Sequence, residues 1–104
     1  VQAIYTGTHR WYTPAAITIV GAWASVGTAP TGASLIVDVN HNGTTIFTTQ
    51  SNRPTIAASG FYDESGTADG DVTVAAGEYL TVDVDQVGST IAGSDLTVGI
   101  RYTA

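Results

Sequence analysis

A chain of 104 residues, 43% hydrophobic and only 12% charged, is one domain's worth of polypeptide, with a single core that buries roughly 60 to 65% of the unfolded surface. It has no cysteine for a disulfide scaffold, no three-residue glycine period for collagen, and too many valines, isoleucines and aromatics for a disordered chain. The formal charge is -6, from nine acids against three arginines and no lysine, which disfavours nucleic acid and an anionic membrane surface as partners.

No run of 18 apolar residues is present, so no membrane-spanning helix is expected. The chain starts at Val1 without a basic and apolar leader, as expected of a processed protein or a domain excised from a longer one. Almost every segment alternates with a period of two between clusters of Gly, Pro, Asn and Asp about ten residues apart, the mark of an all-β sandwich or barrel.

In chain order, Gln2–Thr6 and His9–Thr13 are short strands split by Gly7, and Pro14 closes the pair because it lacks a ladder donor. Ala16–Val26 is the longest candidate strand. Its faces are Ile17, Ile19, Gly21 and Trp23 on one side and Val20, Ala22, Ala24 and Val26 on the other. Both are apolar, although an antiparallel strand usually turns one polar face to water. Two readings explain this: the amino-terminal arm covers one side, or Val20, Ala22, Ala24 and Val26 meet another subunit around a symmetry axis. Trp23 is expected to be buried.

Thr28–Gly32 is a turn. Leu35, Val37 and Val39 then face inward and Ile36, Asp38 and Asn40 outward, and Asn42-Gly43 forms a two-residue hairpin turn into a strand over Thr44–Thr49. Ser51–Pro54 is a polar break and Thr55–Ser59 a short strand. Asp63–Asp71, rich in acids and glycine and without periodicity, is expected to be the most exposed loop. Asp71–Ala75, Glu78–Val87 and Ser94–Tyr102 complete the set. Leu80, Val82 and Val84 face the core against Thr81, Asp83 and Asp85, as do Leu96, Val98 and Ile100 against Thr97, Gly99 and Arg101. The sum is eight or nine strands in a single domain over residues 1–104, a jelly-roll-like antiparallel β-sandwich.

The chemistry-bearing residues are sparse. Asp38, Asn40 and Asn42 lie in Asp38-Val-Asn-His-Asn-Gly43, the opening of a calcium loop, but the twelfth position is Thr49 instead of a bidentate glutamate. A hairpin turn explains the same residues more simply. Asp83 with Asp85, and Asp63, Glu64, Asp69 and Asp71, are further metal candidates, for which ordinary solvated side chains suffice. There is no Gly-x-Ser-x-Gly elbow and no thiol, and His9 and His41 are the only imidazoles. We therefore expect no catalytic residues, no enzyme and no cofactor. Among Trp11, Tyr12, Trp23, Phe61 and Tyr62, the pair Phe61 and Tyr62, with Asp63 and Glu64 beside it, is the candidate contact for a carbohydrate ligand.

Five strings carry a likeness: Arg10-Trp-Tyr-Thr-Pro14, Thr28-Ala-Pro-Thr-Gly-Ala-Ser-Leu-Ile-Val-Asp-Val-Asn40, Asn42-Gly-Thr-Thr-Ile-Phe-Thr48, Asn52-Arg-Pro-Thr-Ile56 and Asp83-Val-Asp-Gln-Val-Gly-Ser89. Together they resemble the β-rich domains of minor tail and tail-fibre-like proteins of tailed bacteriophages, especially phages of actinobacteria. The resemblance runs from about Gly7 to Tyr102 and rests on turn and strand signatures. It implies a non-enzymatic virion structural domain of tail fibre, minor tail or capsid decoration. Such a domain is expected to form a homotrimer, to touch other virion proteins and to contact host-surface carbohydrate. A free-standing carbohydrate-binding module is the alternative.

Overall fold

The computed structural model describes residues 2–104, apart from the side chain of Asp71. Its elements are β1 (Trp11–Tyr12), β2 (Ile17–Ser25), β3 (Leu35–His41), β4 (Thr44–Thr45), β5 (Thr55–Ile56), β6 (Tyr62–Val74), β7 (Tyr79–Gln86) and β8 (Thr97–Thr103), with a 3₁₀ turn at Gln50–Asn52. One sheet has the order β1-β7-β3-β4, with β5 also pairing β3, and the other has the order β6-β2-β8. All pairings are antiparallel. The all-β sandwich expected from the alternation is therefore the fold.

The inward columns of β3 and β7 are the expected ones: Leu35, Val37, Val39, Leu80 and Val84 are buried. They pack against Ile17, Ile19, Ala22 and Ala24 of β2 and against Val98 and Ile100 of β8. The hairpin turn also holds, with Asn42 at φ 50° and Gly43 at φ 88°, the left-handed pair that a two-residue turn needs. Pairing stops at Thr45, however, short of the expected Thr49. Ile46 and Phe47 leave the sheet and plunge into the core, both essentially fully buried. Burying two such side chains contributes roughly 1.5–3 kcal/mol each, more than a longer edge strand would offer.

The strand β2 corrects the reading of two apolar faces. Its register shifts between Ile19 and Gly21 against both neighbours, so a bulge swaps the parity of the side chains. Before it, Ile17 and Ile19 face inward; after it, Ala22, Ala24 and Val26 do, with Ala22 and Ala24 at 0% exposure. The two columns are halves of one core face. Ala22, Ala24 and Val26 thus have no free surface for a partner, and only Val20, at the bulge, is exposed. Trp23 is correspondingly turned outward and half-buried instead of in the core.

Residues 63–71 are not a loop. They belong to β6, a 13-residue edge strand. Its periodicity is broken because Ile19 and Gly21 of β2 pair with Val72 and Thr67, leaving the residues between as an extended bulge. Gly70 sits there at φ 54°. The amino-terminal arm is less regular than expected. Gln2–Thr6 forms no strand; it makes a bridge from Tyr5 to Val84 and a bond from the Gln2 N–H to the Gly93 carbonyl, and Gly7 presses on the Val82 carbonyl so closely that a Cβ would not fit.

Because Ala22 is enclosed within its own protomer, Ala22→Glu buries an unpaired carboxylate at a cost of several kcal/mol. The expected outcome is loss of the cooperative melt in circular dichroism at every protein concentration. A folded but dissociated variant would instead place Ala22 at a subunit contact.

Candidate functional site

The metal candidates do not converge. Asp38 is 6% exposed because the chain after β4 folds over it. Its Oδ1 accepts the Thr45 hydroxyl at 2.6 Å. Asn40 Nδ2 donates instead to Asp83 Oδ2 at 2.8 Å, and Asn42 Nδ2 to Glu78 Oε2 at 2.7 Å. The other oxygen of Asp83 accepts the Gly7 N–H at 2.8 Å, and Asp85 pairs with Arg53 at 2.7 Å. Each of these groups is occupied in holding strands together. Among the described residues no cluster of three metal-ligating side chains forms; the Asp71 side chain lies outside them. His41 is held beside the turn, its Nε2 3.0 Å from Glu78 Oε1.

The acids of β6 separate by face. Asp63 pairs with Ala24 and so turns toward the sandwich interior, where its oxygens accept the Thr55 N–H at 2.7 Å and the Ser65 N–H and hydroxyl. Partial burial pushes its pKa up, but those hydrogen bonds outweigh it and hold the carboxyl below its ordinary value. Asp69 accepts the Thr48 N–H and hydroxyl, and its N–H donates to the Ile46 carbonyl at 2.9 Å. Asp63 and Asp69 thereby stitch β6 to β5 and to the segment after β4. Asp63 is thus turned away from any surface ligand, contrary to its place in the expected contact.

Tyr62 and Glu64 are on the outer face, with the Tyr62 hydroxyl donating to Glu64 Oε2 at 3.1 Å. Trp23 joins them. Its ring centroid is 6.2 Å from that of Tyr62, tilted by 50°. The indole lies over Gly99 of β8, its direct cross-strand partner, where a Cβ would collide with it. The next pair on the same face repeats the arrangement with the roles reversed, Arg101 lying over Gly21. The Arg101 guanidinium donates to the carbonyls of Glu64 and Gly66, both at 2.6 Å, and of Ala22 at 3.3 Å. The indole and the guanidinium thus lie over glycine positions, flanked by a tilted phenol and a carboxylate. Phe61 is exposed just before β6, its carbonyl accepting the Val26 N–H at 2.9 Å. An aromatic face beside fixed polar groups can hold the apolar face of a sugar ring while the polar groups bond its hydroxyls.

Of the expected contact residues, then, Tyr62 and Glu64 come together, Phe61 borders them and Asp63 does not take part. Trp23, Gly99 and Arg101 were missed as a group. The signal was present in the alternation, because Gly99 and Arg101 were placed on one face, but the bulge in β2 hid that Trp23 shares it.

A second surface was not anticipated. A cavity of about 580 Å³ opens between β8 and the arm. Val39, Leu80, Val82, Val98 and Ile100 line it, and Tyr5, Trp11 and Tyr102 rim it with His9.

Burial raises the pKa of Asp38 above the ordinary carboxylate value, against the opposing Thr45 hydrogen bond. A carboxyl with a raised native pKa makes the folded state take up a proton, so its ionisation destabilises the fold above that pKa and the penalty disappears as pH falls through it. Asp38→Asn, which keeps the acceptor oxygen, is expected to raise the melting temperature at neutral pH. The gain should shrink steadily in melts taken through the acid range. An equal gain at all pH values would contradict the burial argument.

No protein-family model, no curated protein and no solved structure matches the chain.

Proposed function

We propose that this domain is a non-enzymatic structural module of a tailed-phage particle, in a tail fibre, minor tail assembly or capsid decoration, carried on the virion surface. In this reading it turns the outer face of its three-stranded sheet toward host-surface carbohydrate. The five strings of tail-protein likeness support the placement, and they all fall on turns and strands of an all-β sandwich. The observation that carries the contact is the Trp23–Tyr62 pair on its glycine platform beside Glu64 and Arg101.

The platform suits a sugar better than an apolar protein partner. Its apolar area is two rings, while its rim offers a carboxylate acceptor and a phenol. Its low charge suits a neutral or cationic glycan, since a chain of net charge -6 repels an acidic one at long range. A free-standing carbohydrate-binding module would use the same platform without a particle. Immunolabelling of purified virions separates the two, because only the structural reading puts the chain on the particle.

Intrinsic tryptophan fluorescence titrated with host cell-wall polysaccharide tests the contact. Saturable change is expected for the wild type, and co-sedimentation with the same polysaccharide, which needs no tryptophan at the site, is expected to show at least tenfold weaker binding for Trp23→Ala and for Tyr62→Ala. Phe61→Ala should lose less. Undiminished binding by both Trp23→Ala and Tyr62→Ala would remove the platform from the function.

A further inference from the structure

The two sheets differ in width. β4 and β5 pair opposite ends of one edge of β3, so the larger sheet is four strands across, whereas β6-β2-β8 is three. On the β6 side the sandwich is closed by the bonds of Asp63 and Asp69 described above. On the β8 side nothing of the smaller sheet lies over β1, and the 580 Å³ groove is the space left. Among the described residues no backbone bond joins the outer edge of β8 to another strand. The groove lies beside β8, where the smaller sheet has no strand opposite β1.

We propose that this groove is filled by a second copy of this chain, which adds backbone to the free edge of β8 and covers Tyr5, Trp11 and Tyr102. The inference is independent of the carbohydrate reading, which uses the other face of the same sheet. The kind of occupant follows from β8 itself. Its seven residues contain no proline, lysine or acid, the usual devices that blunt an edge. Its one charge, Arg101, is committed to three carbonyls on the outer face. Unpaired peptide groups call for a polypeptide strand, which an acyl chain or a sugar cannot replace.

Charge favours this seam for a second copy. The chain carries nine acids, and the opposite edge strand β6 holds Asp63, Glu64 and Asp69, whereas no acid lines the groove. The β8 seam is therefore where two copies of charge -6 meet with least repulsion. Area is consistent with this. Tyr5, Trp11 and Tyr102 are 48%, 51% and 56% exposed and together offer roughly 300 Å² per copy. A specific interface needs about 1,000 Å² in total, so the rings supply more than half and the β8 edge and groove floor need supply only the rest. A seam that meets its own copy is isologous, so the assembly it builds is a twofold pair.

Sedimentation velocity over a dilution series tests the assignment. The wild type is expected to form a closed oligomer that dissociates on dilution. Tyr102→Glu and, separately, Trp11→Ser should weaken association at least tenfold with unchanged circular dichroism and melting, while Trp23→Ala should not. Hydrogen exchange should show β8 amides protected in the oligomer and exchanging after dilution. A wild type that stays monomeric at all concentrations overturns the proposal and leaves the groove to a foreign strand. Oligomers unaffected by either seam variant overturn it as well.

Discussion

The bulge between Ile19 and Gly21 is the feature on which the rest depends. β2 is the centre of the three-stranded sheet and pairs with both β6 and β8. Without the parity change, either Ile17 and Ile19 or Ala22 and Ala24 would face water. With it, the first pair fills the core cluster around Phe47 and Ala24 fills the second around Leu35 and Val84. A bulge leaves peptide groups without ladder partners. Arg101 covers the site, donating to the carbonyls of Ala22 on the bulged strand and of Glu64 and Gly66 on its neighbour. Such charge-assisted bonds are shorter and stronger than neutral ones. Gly21 is required because any side chain there would displace that guanidinium.

The same strand explains why the sandwich is closed on one side and open on the other. Opposite the bulge, β6 carries extra residues, and these bring Ala68 into the core and Asp69 to Thr48 and Ile46. The acids of β6 thus do structural work on the seam they close. β8 runs beside the bulge with a single shift and no such excursion, so it stays regular. A regular edge whose one charge, Arg101, is committed to carbonyls on the outer face is what sheet extension requires. Local backbone irregularity on one edge and its absence on the other give the domain one sealed and one receptive side.

Much of this was legible in the residues. The inward columns of β3 and β7, the Asn42-Gly43 turn and the sandwich class all follow from a period of two and from left-handed φ tolerance, which are local properties. What was hidden depends on pairing. The Ala16–Val26 segment looked apolar on both faces because a bulge is set by the register of two neighbours, not by its own residues. Asp63–Asp71 looked like a loop because its acids accept hydrogen bonds from residues 8 to 21 positions earlier, partners that no local pattern reveals. Phe61 and Tyr62 were recognisable as exposed rings, yet Trp23 joined Tyr62 only once the strands were aligned. The groove was beyond reach because it depends on which strands of the two sheets lie opposite one another.

Alternation along β8 also keeps its two surfaces from interfering. Gly99 and Arg101 serve the outer platform, while Val98, Ile100 and Tyr102 face the groove. Side chains that bind a ligand on one face therefore need not change when the edge gains a neighbour. Adding backbone to that edge would extend the sheet that carries the platform, setting the platforms of adjacent copies on neighbouring outer faces. Binding through one pair of rings is weak, because a small flat contact must first offset the ordering of the ligand. Linking several such contacts raises avidity by about 10² to 10⁴ where the geometry allows simultaneous engagement. A shallow platform and a receptive edge on the same strand are thus complementary: the weakness of the first is a reason for the second.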